Sequence, residues 1–82
     1  MQFEILKYLK AGKTDSLKSD WTHVNINFKK KEEDIKNETR KVLAQSGYGE
    51  IPTDLIEVDK QCGVIEILNQ KGDAVIQLRS DD

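Results

Sequence analysis

Eighty-two residues allow one domain, and a chain this short buries roughly 60–65% of its unfolded surface around a single core. One cysteine, Cys62, excludes an internal disulfide, and with one histidine, His23, no Cys/His zinc set can be assembled. A net charge of −2 argues against a dedicated nucleic-acid binder.

Hydrophobic residues make up 37% of the chain and charged ones 34%, yet Ile, Leu and Val fall in patterned runs that a disordered chain lacks. The opening Met1-Gln2-Phe3-Glu4 has no basic stretch followed by an apolar run, so no secretory signal is expected. No run approaches the ~20 apolar residues that span a bilayer. A lone thiol then fits the reducing cytosol, and a cytoplasmic location without membrane contact is expected. The charge is uneven. Residues 1–41 carry ten Lys/Arg against seven Asp/Glu, and residues 42–82 carry three against eight, an asymmetry that hints at an interaction face.

The first ten residues read two ways. Phe3, Leu6 and Leu9 keep helical spacing, but Phe3-Glu4-Ile5-Leu6 also suits a strand paired with the next one across a loop containing Lys13 to Asp20. The strand is favoured, because Thr22–Phe28 alternates with period two and needs a neighbour. Val24, Ile26 and Phe28 share one face there, with His23, Asn25 and Asn27 on the other. Lys31-Glu32-Glu33-Asp34 opens a run free of Gly and Pro that ends at Ser46-Gly47. Its acids sit in the first turn, its cations further along, and Ile35, Thr39, Val42, Leu43 and Ser46 form a narrow buried stripe, so a helix is predicted. Gly47 to Pro52 is a loop. Leu55–Val58, Val64–Leu68 and Ala74–Leu78 follow as β-branched segments joined by Asp59–Gly63 and Asn69–Asp73 turns, which is an antiparallel meander. Residues 80–82 are expected to form a mobile tail.

The predicted fold is a single α+β domain over residues 1–82, in the order ββαβββ. One helix packs on a four- to five-stranded mixed or antiparallel sheet; αβαβββ is the alternative order. That arrangement, with a mixed sheet, resembles the β-grasp fold. Met1-Gln2-Phe3, Gly12-Lys13-Thr14 and Gly49-Glu50-Ile51-Pro52 are similar to the start of ubiquitin and to its Gly-Ile-Pro loop. The resemblance touches scattered positions and implies shape alone. The tail Leu78-Arg79-Ser80-Asp81-Asp82 lacks the terminal Gly-Gly of a conjugated modifier, so a β-grasp chain of this kind would be a binding module.

His23 could act as a general base or pH switch. No serine or cysteine lies at a spacing that suggests a nucleophile, and a solvated or sheet-facing histidine is the favoured reading. Cys62 has only Lys60 nearby to lower its pKa, so a small buried hydrophobe is expected there in preference to a reactive thiol. Glu50, Asp54, Glu57, Asp59 and Glu66 match no calcium-loop spacing, and no phosphate-binding glycine motif is present. No cofactor or metal is therefore expected.

Lys29, Lys30 and Lys31, followed by Lys36, Arg40 and Lys41, could contact phosphates. Glu32, Glu33, Asp34 and Glu38 interleave with them and favour a solvated, salt-bridged helix face instead. Trp21 could be a binding hot spot. Packing at the core edge, or on Tyr8 or Tyr48, is expected ahead of that because tryptophan is highly buried on average.

The expectation is a non-catalytic module that binds a protein partner, or itself, through a sheet face or edge bearing Trp21, His23 and Asn25. A nucleic-acid binder using Lys29, Lys30, Lys31, Lys36 and Arg40 is the alternative, and a small enzyme comes last. The lysine-rich, arginine-poor composition also suits an accessory protein of a phage or mobile element.

Overall fold

The opening segment is a strand. The computed structural model describes residues 1–81 in the order β1 (Gln2–Tyr8), β2 (Leu17–Asn25), α1 (Glu32–Gln45), β3 (Ile56–Asp59), β4 (Val64–Leu68) and β5 (Ala74–Ser80). Single 3-10 turns, Thr14–Ser16 and Thr53–Leu55, lead into β2 and β3. The expected ββαβββ order is what forms. The strands make one sheet in the spatial order β2-β1-β5-β4-β3, and every pairing is antiparallel. The mixed sheet implied by the β-grasp resemblance is absent, because β5 runs against β1 at the centre.

Helix α1 begins with Glu32, Glu33 and Asp34 beside its positive end. It ends in a Schellman turn. Gly47 takes φ 92°, and the Tyr48 and Gly47 N–H groups reach back to the carbonyls of Leu43 (2.9 Å) and Ala44 (3.3 Å). Between those ends Ile35, Thr39 and Leu43 are buried against the sheet. Thr39 belongs in the core because its hydroxyl donates to the Ile35 carbonyl at 2.7 Å, leaving no polar atom orphaned. The core joins these helix residues to Phe3, Ile5, Ile26, Ile56, Ile65, Ile67, Ile76 and Leu78. The Phe3 and Phe28 rings meet at 5.3 Å in a tilted pair.

Four strand boundaries that differ from expectation each have a backbone cause. β2 starts at Leu17, not Thr22, because the β1 ladder pairs Tyr8, Lys7 and Leu6 with Leu17, Lys18 and Ser19. Cross-strand hydrogen bonding extends the strand through residues with no apolar alternation. At its other end Ile26 adds one more bond, N–H to the Met1 carbonyl at 2.9 Å, and Phe28 lies beyond the strand. β3 starts at Ile56 because Leu55 closes the 3-10 turn. β5 runs on to Ser80, assigned to the tail by sequence, through pairing with Phe3; the Asp81 N–H then donates to the Gln2 carbonyl. Asp82 lies outside the described residues. Among the described residues no helix is long and apolar enough to cross a membrane.

Candidate functional site

Helix α1 covers one face of the sheet, and the register defines what the other face presents. Side chains alternate along each strand, so the cross-strand partners fall into rows. One row reads His23, Glu4, Arg79, Val64, Asp59, and the next reads Ser19, Leu6, Gln77, Glu66, Glu57. Leu6 is 8% exposed and Gln77 9%, yet neither belongs to the core cluster, which places both on the open face.

A hydrogen-bonded chain crosses this face. The Tyr8 hydroxyl donates to Glu66 Oε2 at 2.9 Å, and the Gln77 amide reaches both Tyr8 Oη (3.4 Å) and Glu66 Oε2 (3.5 Å). Arg79 Nε and Nη2 donate to Gln77 Oε1 at 3.2 and 2.8 Å. Ser19 Oγ donates to Glu4 Oε2 at 2.6 Å. Burial, and then the Glu66 carboxylate, push the Tyr8 phenol above its ordinary value. A phenol whose folded pKa exceeds its unfolded value adds stability that is present below the unfolded value and is lost as pH rises through the folded one. Urea midpoints should therefore fall as pH climbs past about 10, and Tyr8→Phe should flatten that part of the curve.

Trp21 does not pack on Tyr8 or Tyr48. It is 83% exposed and stands in the left-handed region at φ 63°, where β2 is irregular between the partners of Glu4 and Leu6. The bulge is held by short polar bonds. Ser19 Oγ accepts the Trp21 N–H at 3.0 Å, and Asp20 Oδ1 accepts the Thr22 N–H at 2.8 Å. Asp20 Oδ2 also accepts the Tyr48 hydroxyl. Tyr48 is committed to Asp20 and to Lys7, whose Nζ lies 5.1 Å from the ring centroid. No glycine marks the bulge, so nothing in the sequence announced it.

His23 and Asn25 follow on the same edge strand, exposed, opposite Glu4 and Gln2. His23 Nε2 lies 3.7 Å from Asp81 Oδ2. All three residues assigned to partner binding lie exposed on β2 itself.

Cys62 is exposed, against the expectation of burial. The β3–β4 turn turns its thiol outward because Asp59 Oδ1 accepts the N–H groups of Gln61 and Cys62, both at 3.1 Å. The Cys62 N–H, and then its thiol, hold the Asp59 carboxyl below its ordinary range. In return the Asp59 hydrogen bond and charge push the Cys62 thiol up. A raised thiol carries little thiolate at neutral pH. Alkylation by iodoacetamide, followed by mass, should be slower than for free cysteine, and Asp59→Asn should speed it.

The basic residues are spread over a loop and a helix. Lys29, Lys30 and Lys31 precede α1, where the Lys60 ammonium donates to the Lys30 carbonyl at 2.6 Å. Lys36 borders a depression of about 390 Å³ together with Glu32, Glu33 and Asp54. Arg40 Nη1 lies 3.6 Å from Glu50 Oε2. Among the described residues no three His, Cys, Asp or Glu side chains converge to hold a metal ion. No protein-family model matches the chain, and comparison with curated proteins and with solved structures finds no match.

Proposed function

We propose that this protein is a non-catalytic interaction module that binds a protein partner, with Trp21 as the anchor and His23 and Asn25 beside it. The observation that carries the reading is Trp21 itself. A left-handed backbone costs an L-residue about 1–2 kcal/mol, and glycine is the default there. An 83% exposed side chain recovers little of that cost through packing. Neither the backbone nor the core accounts for a tryptophan at this position, and strained residues of this kind cluster at functional sites. A partner that buries the indole would account for it.

β2 is also a sheet edge, with one side of its backbone unpaired. A bulge in mid-strand disfavours a continuous added strand. Side-chain anchoring through Trp21 is therefore the mode we favour over strand addition. The exposed single thiol suits a reducing compartment, and we place the module in the cytosol on that ground.

Affinity capture from native lysate with mass spectrometry, comparing wild type with Trp21→Ala, tests the reading; light scattering checks self-association. A protein retained equally by both forms would count against it. A salt series on any captured complex separates this mode from phosphate contact through Lys29, Lys30, Lys31, Lys36 and Arg40, which must weaken steeply as salt rises.

A further inference from the structure

Glu57 and Glu66 stand directly opposite each other on β3 and β4. Like charges in that position are destabilising. The uncovered sheet face also carries Glu4 and Asp59, with Asp81 at its margin beside His23. Its one guanidinium, Arg79, is held by Gln77. Among the described residues no cation lies within ion-pair distance of Glu4, Glu57, Asp59 or Glu66. The same face carries half-buried apolar groups outside the core cluster, Val64 next to Arg79 and Leu17 next to Tyr8. At the β3 margin the face opens into a depression of about 470 Å³ lined by Glu57, Asp59, Glu66 and Val64, with Lys60 and, from α1, Glu32 also at its wall.

We infer that this open face docks a basic amphipathic helix of a partner protein, its apolar side on Leu17 and Val64 and its Lys or Arg side chains among Glu57, Asp59 and Glu66. The inference rests on the interaction-module reading and adds the chemistry of the partner. Charge complementarity selects the occupant. A second copy presenting the same face would set carboxylate against carboxylate. Nucleic acid and an anionic lipid surface would be repelled by it. A sheet with one face packed by a helix offers the other face to a helix in the same way. Cations brought to Glu57 and Glu66 would also relieve the repulsion built into the isolated chain.

The probe is a short Leu/Lys amphipathic helical peptide, with a control in which every Lys is replaced by Glu, titrated into isotope-labelled protein. Backbone amide shifts should map to Leu6, Gln77, Glu66 and Glu57, with no binding of the Glu peptide. Glu57→Lys turns the repulsive pair into an attractive one. It should raise the melting temperature while weakening the Lys peptide at least fivefold. Glu33→Lys makes the same change in net charge on the helix side and should leave the affinity unaltered. Shifts confined to α1, equal binding of both peptides, or equal weakening by Glu57→Lys and Glu33→Lys would each overturn the inference. A native partner whose capture depends on Trp21 but is unaffected by Glu57→Lys would overturn it too, and would leave the interaction module standing.

Discussion

Replacing Trp21 by glycine is expected to move folding and binding in opposite directions. Glycine relieves a left-handed backbone worth about 1–2 kcal/mol and adds an entropic cost of about 0.5–1 kcal/mol, so stability should stay level or rise by up to about 1.5 kcal/mol. Nothing packed is lost, since the indole is 83% exposed. Binding should fall by at least about 2 kcal/mol, roughly thirtyfold in affinity, the size expected of a buried aromatic anchor. Trp21→Ala keeps the strain and loses the indole, so it should match glycine in binding and wild type in stability. Urea denaturation and titration calorimetry read the two quantities separately. A glycine variant destabilised by more than about 1 kcal/mol would show that the indole supports the fold, against our reading of it.

The largest effect on stability is expected at Ile65. This residue is fully buried at the centre of β4, opposite Val58 on one side and Leu78 on the other. Ile65→Ala removes buried methyl groups and leaves a cavity between sheet and helix, a loss of about 3–4 kcal/mol. Stability for 82 residues is on the order of 4–12 kcal/mol, so much of the margin would go. The melting temperature should drop by roughly 15–25 °C, readable by calorimetry. A drop of only a few degrees would mean that the core collapses around the gap, and that Ile65 is less tightly held than its burial indicates.

How much of this was legible in the chain depended on whether local chemistry or distant pairing decided each element. Helix α1 announced itself because its acidic first turn, its buried stripe and Gly47 all lie within one stretch. The β3–β4–β5 meander was legible for the same reason, since turn residues and β-branched runs are neighbours in sequence. The start of β2 was not. Leu17 to Asp20 has no alternation, and only the presence of β1 alongside makes it a strand. The pairing of β5 with β1, which makes the sheet antiparallel throughout, joins residues no local pattern connects.

At the candidate site His23 and Asn25 could be placed on the polar face from period two alone. The exposure of Trp21 depends on a bulge made without glycine, so frequency arguments pointed to burial. Cys62 misled in the same way, because a single Asp59 side chain sets the course of its turn.

The central seam between β1 and β5 pairs Phe3 with Ser80 and so brings the two ends of the described chain side by side. No part of that pairing can form until nearly the whole chain has closed into a loop, and the closure entropy must be met before the contacts return anything. Sheets ruled by such distant pairings fold in milliseconds to seconds, roughly speaking, where helical bundles take microseconds. Two pieces are free to form earlier: the β1–β2 hairpin, and the β3–β4–β5 meander. The slow event is their meeting, with α1 spanning from one sheet edge to the other. A chain cut back into β1 or β5 would lose the step that joins the two pieces and part of one piece with it.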